Sequence, residues 1–195
     1  MADTTYTDNT TPAVAADWLN DLNRLHYTIL GDPADAAAAR TGLGITAATA
    51  QIVTTNTTAV STGTTVLPFD DTIPQNTEGD QYLSVSITPK IATSTLEIDV
   101  EIIVSHTVAS YLSAALFQDT TAGALAASTQ YQASALGPVT ICMKYTMTSG
   151  TTSATTFKVR AGSSTAGTTT FNGQSGTRIF GGVAASRITI KEYLP

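Results

Sequence analysis

The residues of this sequence that could act as a nucleophile or a general base are few. Its 195 residues include two histidines, His26 and His106, and one cysteine, Cys142. Nucleophilic catalysis requires a serine or cysteine oriented by a histidine and a carboxylate, and the chain contains no G-x-S-x-G motif. A single cysteine also excludes an internal disulfide and a cysteine-based zinc site. We therefore expect no catalytic triad.

Three carboxylates in the stretch TLEIDVEIIV offer a second chemistry. Glu97, Asp99 and Glu101 alternate with apolar residues, which places them on one face of a strand about 7 Å apart. Pairs of carboxylates at comparable separations carry out glycoside hydrolysis. Three like charges on an outward face are more typical of a solvated surface that discourages edge pairing. We therefore expect the chain not to be an enzyme.

A loop rich in oxygen ligands precedes that strand. The stretch PFDDTIPQNTEGD carries Asp70, Asp71, Asn76, Glu78 and Asp80 without the spacing of an EF-hand. Calcium takes about six to eight oxygen ligands in flexible geometry. The alternatives are a calcium site and a set of turn-forming side chains with solvated charge. The second is favoured, and we predict no cofactor and no metal, although the pattern alone does not decide on calcium.

The composition limits the classes of partner. Charged residues make up only 12% of the chain, the formal net charge is −6 and the pI is about 4.6. Because nucleic-acid binding requires a basic face, we expect no nucleic-acid partner. No apolar run approaches the roughly 20 residues of a membrane-spanning helix, so we expect no membrane insertion.

The N-terminal stretch carries a helical pattern. In AADWLNDLNRLHYTIL, the apolar residues Trp18, Leu22, Leu25 and Ile29 recur at the spacing of one helix face. A second short helix is predicted in PADAAAAR. Helices of this length are marginal alone in water, so the stripe must pack either against other chains or against the chain's own β domain. We expect an attachment and oligomer interface, with Trp18 as its anchor.

Alternating apolar and polar residues dominate the chain after residue 63. In TLEIDVEIIV, for example, Leu96 and Ile98 fall on one face of a strand. Turn signals such as ALGP and NGQSG separate about eight short strands. The pattern predicts a mainly β fold, an antiparallel jelly-roll-type β-sandwich with a short N-terminal helical segment. The predicted organisation is a helical attachment segment at residues 1–45, a threonine-rich linker at residues 46–63 and a β-sandwich knob at residues 64–195.

Two groups of motifs resemble appendage proteins of tailed bacteriophages. The stretch AADWLNDLNRLHYTILGDPADAAAARTGLGI is similar to the short helical segment of tail fibre and head fibre proteins. The stretches LPFDDTIPQNTEGDQYLSVSITPKIATSTLEIDVEI, FQDTTAGALA and FNGQSGTRIFGGVAASRITIKEYLP resemble the β-sandwich knob that ends many such fibres. The resemblance implies a homotrimeric virion protein with an N-terminal attachment segment and an outward-facing knob. The chain lacks the shaft of longer relatives, which favours a short appendage or a capsid decoration.

Two roles follow within the virion. A short fibre would bind a host-surface glycan or protein through the loops of the knob, whereas a decoration or cement protein would clamp the capsid. The attachment partner would be a capsid, neck or tail protein. The alternative is a free carbohydrate-binding β-sandwich module, which an aromatic content of only 7% disfavours. The loop residues predicted to face a ligand are Ser163, Ser164, Asn172, Gln174 and Ser175.

Overall fold

The alternating residues form strands that pair into two antiparallel sheets. The computed structural model describes residues 48–195, with side chains from residue 49 onward, and the predicted mainly β, antiparallel sandwich is confirmed. The predicted N-terminal helices and their stripe, Trp18, Leu22, Leu25 and Ile29, lie outside this part, within which no helix is long and apolar enough to cross a membrane. The strands are β1 (Ala48–Thr57), β2 (Ser61–Gly63), β3 (Asp80–Ile87), β4 (Thr95–His106), β5 (Ser110–Gln118), β6 (Ala126–Gln132), β7 (Val139–Thr148), β8 (Thr155–Ser163), β9 (Thr169–Phe171), β10 (Gly173–Gln174), β11 (Thr177–Arg178) and β12 (Ser186–Leu194), and a 3-10 turn spans Phe180–Gly182.

The larger sheet is built around β4. One side of β4 pairs with β7, and the other side pairs with β12 along most of its length and with β9 at its end. Val100, for example, lies opposite Ile188 of β12 and Met143 of β7. Strand β1 pairs with β12, and β2 pairs with β9. The smaller sheet has the order β3-β8-β5-β6, and β10 and β11 form a separate hairpin.

The inner faces of the two sheets meet in one apolar core. On β4, Leu96, Ile98 and Ile102 are fully buried, while the alternate residues Glu97, Asp99 and Glu101 point outward, as the period of two in a strand requires. The smaller sheet contributes fully buried side chains such as Leu116 of β5 and Phe157 of β8. Removing this apolar area from water stabilises the fold by roughly 25 cal/mol per Å².

Residues 46–63, predicted as a linker, contribute two strands to the larger sheet. Strand β1 is tied to β12 by side chains as well as by its backbone. Gln51 Nε2 donates to Glu192 Oε2 at 2.6 Å, and the hydroxyls of Thr54 and Thr189 lie 3.0 Å apart. Residues Thr49–Pro195 form one compact unit, so the sandwich begins before residue 64.

The loop between β2 and β3 covers part of the outer face of the smaller sheet. Its Leu67 packs with Ala115 and Phe117 of β5 in a second, smaller core. Gly162 of β8 permits this close approach, because a Cβ at that position would lie 2.7 Å from the Thr65 carbonyl oxygen. We call this segment the covering loop. Its contacts hold it against the sheet at the edge of an exposed aromatic surface.

Candidate functional site

Three exposed aromatic side chains meet on the outer face of the smaller sheet. The rings of Phe69 and Tyr111 stack with their centroids 4.2 Å apart and 12° between their planes. The ring of Tyr131 lies against that of Tyr111 at a centroid distance of 5.0 Å, tilted by 52°. These three residues, which we call the aromatic cluster, are 54%, 40% and 52% exposed respectively. Large apolar side chains that are exposed together on a surface often mark an interaction site.

Strand register and the covering loop bring the three rings together. Tyr111 of β5 and Tyr131 of β6 are direct cross-strand partners, and such partners have their side chains in contact. Phe69 comes from the covering loop, which packs on the sheet through Leu67. The Tyr111 carbonyl accepts a hydrogen bond of 2.9 Å from the Ser164 N–H. The backbone that carries the rings is therefore fixed.

A depression of about 190 Å³ opens beside the aromatic cluster. Polar groups line it: the Ser113 hydroxyl donates to Thr129 Oγ1 at 3.1 Å, and Asp70 Oδ1 accepts from the Thr72 N–H at 2.9 Å. The hydrogen bonds from the Thr72 hydroxyl and N–H lower the pKa of Asp70, so this carboxylate is ionised at neutral pH. The lining holds one carboxylate and no lysine or arginine. We call this feature the outer depression.

The outer face of the larger sheet carries paired charges of both signs. Lys191 Nζ lies 2.8 Å from Glu97 Oε1 and 3.0 Å from Asp99 Oδ2. Burial acts to raise the pKa of Asp99, but hydrogen bonds from Lys191 and Lys144 outweigh it, and the pKa falls below its ordinary value. Cations from β7 and β12 thus pair with these carboxylates, and the pKa of Asp99 is lowered. A carboxyl group that acts as a general acid has a raised pKa instead. This surface, the charged face, contains Glu97, Asp99, Glu101, Lys144, Arg187 and Lys191.

Exposed apolar side chains border the charged face. Phe180 and Val183, in the loop between β11 and β12, are 76% and 78% exposed. Val183 lines a surface depression together with Arg187, which places this loop beside the charged face. The backbone of Phe180 is left-handed, with φ of 50°, a conformation that bulky residues seldom adopt. We call residues 179–183 the apolar loop. Ile52 on β1 is also exposed.

The five loop residues predicted to face a ligand fall into a buried group and a group that is at least partly exposed. Ser163 and Asn172 are buried, so that prediction does not hold for them. The hydroxyl of Ser163 lies 2.8 Å from that of Ser110, and Asn172 Nδ2 donates to the Thr57 carbonyl at 2.9 Å. Both residues hold chain segments together, because their polar atoms are used within the fold. The other three reach the surface at least in part: Ser164, Gln174 and Ser175.

The acidic stretch at residues 68–80 uses many of its side-chain oxygens in hydrogen bonds within the chain. Glu78 Oε2 accepts from the Gln75 N–H at 2.9 Å, and Asp80 Oδ2 accepts from the Thr65 N–H at 2.9 Å. Asn76 Nδ2 donates to backbone carbonyls of the loop after β5. Across residues 48–195, no three His, Cys, Asp or Glu side chains come together as a metal-binding group. These bonds are those of turn-forming side chains.

The described histidine and the cysteine occupy unrelated environments. His106 is buried at the end of β4, with Nδ1 3.1 Å from Thr169 Oγ1. Burial lowers the pKa of His106, and a hydrogen bond with the backbone of Ala166 acts in the opposite direction. Cys142 is exposed on β7, opposite Glu101 in the sheet. Within the described chain, no hydrogen bond links either side chain to the other as a nucleophile and its base.

The sequence gives little indication of the aromatic cluster. Its three residues lie far apart along the chain, and a low aromatic content says nothing about clustering. The one usable signal is that Tyr111 in SYLSAALF and Tyr131 in ASTQYQ occupy strand positions where a polar residue would suit an outward face. Their contact with Phe69 depends on the register of β5 and β6 and on the path of the covering loop.

The described chain is thus an antiparallel β-sandwich with an exposed aromatic cluster on one outer face and paired charges on the other. The family model described as the Pgp3 C-terminal domain matches residues 67–195, which is most of the chain. The chain therefore belongs to the family of the Pgp3 C-terminal domain. No curated protein matches it.

Similarity to solved structures is low. The C-terminal domain of EclA, described as a sugar-binding protein, is 13% identical, with 60% of this chain and 76% of that chain covered and a TM-score of 0.33. Dimeric latent PorU from Porphyromonas gingivalis is 8% identical, with coverage of 75% and 13% and a TM-score of 0.36. The infectious bursal disease virus Gx strain gives 10% identity, coverage of 74% and 38%, and a TM-score of 0.34. The chain spans less than half of the last two proteins, and similarities of this size assign no function.

Proposed function

We propose that the chain is a non-enzymatic structural protein of a tailed-bacteriophage virion. It forms a homotrimeric short fibre or capsid decoration, held on a capsid, neck or tail protein by its N-terminal segment. The β-sandwich is displayed outward, where it adsorbs to the host surface. The resemblance of residues 12–45 and 64–195 to phage appendage proteins supports this assignment, and the trimeric state is taken from that resemblance.

One observation supports the assembly part of the proposal. The positive and negative side chains of the charged face balance one another, and exposed apolar side chains border this face. The chain has a net charge of −6, so copies repel one another over much of their surface. On the charged face, three carboxylates are matched by three cations. Val183, which lines a depression with Arg187, and Phe180 of the same loop supply exposed apolar area. Contact between copies therefore meets least repulsion there and gains hydrophobic burial.

The second candidate is a free carbohydrate-binding module, which the aromatic cluster favours. Such a module stays monomeric and binds glycans without any particle. A virion appendage instead depends on its N-terminal segment for attachment and on contact between copies. The oligomeric state of the whole chain therefore separates the two candidates.

The test combines light scattering with particle assembly. Multi-angle light scattering of the full chain should give the mass of a trimer at micromolar concentration. The double variant Phe180→Asp and Val183→Asp should dissociate, because burying unpaired charge in an apolar contact is costly. The matched control, Phe69→Asp in the covering loop over the other sheet, should remain trimeric. A stable monomer in the unmodified chain would contradict the proposal.

Attachment is tested separately through the predicted stripe. Replacing Trp18 and Leu22 by aspartate should abolish incorporation into particles while circular dichroism shows an intact β domain. Wild-type copy number in particles carrying this variant would locate attachment elsewhere and refute the role assigned to the N-terminal segment.

A further inference from the structure

We propose that the aromatic cluster and the outer depression together form a binding site for a neutral hexopyranose unit of a glycan. The inference deepens the proposed role in host adsorption, on which its biological meaning rests. Its physical basis is independent of that role, because every residue involved belongs to the described sandwich.

The aromatic cluster supplies the stacking surface. One face of a pyranose ring is lined by C–H groups, and these are attracted to the negative face of an aromatic ring. Phe69 and Tyr111 each use one face on the other, and Tyr131 is inclined by 52° to Tyr111. The result is an angled platform that remains about half exposed. A sugar ring laid on one plane has its edge directed toward the second.

Polar groups that could bind the hydroxyls of a sugar adjoin the aromatic cluster. Asp70 Oδ1 is used by Thr72, whereas Asp70 Oδ2 forms no hydrogen bond with any described residue. The phenol groups of Tyr111 and Tyr131 likewise have no partner in the described part of the chain and are exposed. A carboxylate oxygen and two phenols can together accept from and donate to vicinal hydroxyls. Bonds to a charged acceptor are the stronger kind.

The charge of the site selects the kind of sugar. Asp70 stays ionised because the Thr72 hydrogen bonds lower its pKa, and no lysine or arginine lines the outer depression. The two cations of β8 on this sheet are occupied elsewhere: Lys158 donates to the Asp119 carbonyl at 2.7 Å and Arg160 to the Glu78 carbonyl at 2.7 Å. Sialic and uronic acids would meet an unpaired carboxylate. Neutral hexoses meet no such repulsion.

A sugar accounts for this surface better than a second copy of the chain does. The core of a protein interface is depleted in charge, yet here a carboxylate and several hydroxyls adjoin the rings. The platform is small, with a depression of about 190 Å³ beside it, which suits a single sugar ring. The covering loop and the paired strands hold the rings in place, so little ordering entropy is lost on binding.

Saturation-transfer NMR and a glycan array, both with the full chain, test the proposal. The probes are the methyl glycosides of glucose, galactose and mannose, N-acetylglucosamine, and the acidic sugars N-acetylneuraminic acid and glucuronic acid. At least one neutral sugar should bind, and the acidic sugars should bind more weakly. Tyr131→Ala and Phe69→Ala should each lower that affinity about tenfold or more. The control, Ile91→Ala, truncates an exposed side chain in the turn between β3 and β4, outside both the site and the apolar loop, and should leave it unchanged.

Tyr131→Phe separates stacking from hydrogen bonding, since it keeps the ring and should lose less affinity than the alanine variant. Circular dichroism checks that each variant is folded. Absence of binding to every neutral sugar, preference for the acidic sugars, or wild-type affinity in both alanine variants would overturn the proposal. Copy number in particles is measured on the same variants and should be unchanged. Failure of the virion role would appear there, while the sugar assay on free protein still decides this inference.

Discussion

Replacing Glu192 by glutamine should destabilise the sandwich markedly at neutral pH. Glu192 lies on β12 with its side chain fully buried. Its carboxylate accepts hydrogen bonds from Gln51 Nε2 at 2.6 Å, from Ser94 Oγ at 2.6 Å and from the Lys90 N–H at 2.7 Å. A more distant bond comes from the Ile91 N–H at 3.4 Å. One carboxylate thus joins β1, β12 and the turn between β3 and β4.

The size of the expected loss of stability follows from the hydrogen bonds of Glu192 that a glutamine side chain could keep. Oε1 of Glu192 takes the bonds from Ser94 and the turn backbone, so the amide oxygen of a glutamine would keep that position. The amide nitrogen would then face Gln51 Nε2, which is itself a donor. Losing one hydrogen bond to a charged acceptor costs about 1.5–3 kcal/mol, and the remaining bonds lose their charge assistance. We expect a total loss of about 3 kcal/mol in the free energy of unfolding.

The pH dependence gives a second, independent signature. Burial acts to raise the pKa of Glu192, but the bonds from Ser94, Gln51 and the backbone outweigh it and lower the pKa below its ordinary value of 4.5. A lowered pKa in the folded state means that the stabilisation is fully present above pH 4.5. It is lost as the pH falls through the folded-state pKa. The difference between wild type and Glu192→Gln should therefore shrink in acid.

Urea unfolding followed by circular dichroism measures both effects at a fixed protein concentration. The control is Asp71→Asn, whose side chain is exposed in the covering loop. Substitutions at such surface positions change stability by about 0.5 kcal/mol or less, so this control should unfold nearly as wild type does. If Glu192→Gln matched the control at neutral pH, or kept its full deficit in acid, the assigned role of this carboxylate would be wrong.

Two further predictions concern buried polar residues at the opposite end of β4. Because burial lowers the pKa of His106 below 6.5, the unfolded chain binds a proton before the folded chain does, and stability should fall as the pH drops below 6.5; thermal unfolding across this range should show a weaker pH dependence in His106→Gln. Asn172 has a left-handed backbone, and its Nδ2 donates to the Thr57 and Ala59 carbonyls. Asn172→Asp should cost about 3–5 kcal/mol, since it sets a carboxylate against two carbonyls, whereas Asn172→Gly keeps the backbone conformation and should cost less; equal urea midpoints for the two variants would contradict this.

The strands that sequence predicts well are those whose alternation is strict. In TLEIDVEIIV, the buried residues Leu96 and Ile98 are the ones that the period of two selects. The stretch 46–63 hides its strands because threonine serves both faces, and among the described residues 49–63 it is Val53 that packs against the core. Strand β1 pairs with β12, at the other end of the chain, and β2 pairs with β9. A local pattern contains no information about so distant a partner.

For the candidate sites too, the local sequence pattern does not reveal the distant partners, and its predictions fail more often there than for the strands. Polar residues near turns predict exposure, yet Ser163 and Asn172 are buried because distant segments use their hydrogen-bonding groups. The like-charged row of β4 predicts a solvated surface, yet cations from β7 and β12 stand beside it. Aromatic content predicts no stacking platform, yet three separated residues build one. In each case the decisive partner comes from a strand or loop that sequence proximity does not reveal.

The positions of the two surfaces determine whether the proposed sugar site would stay accessible in the proposed assembly. The two layers of a sandwich point their outer faces in opposite directions. The charged face and the apolar loop belong to the larger sheet, whereas the aromatic cluster lies on the smaller one. In the proposed trimer, contact between copies through the first surface would leave the second open. Three linked copies of the proposed sugar site would bind a dense glycan surface far more tightly than one site does, without any new contact. Under the proposed function, assembly rather than the affinity of the single site would set the strength of adsorption.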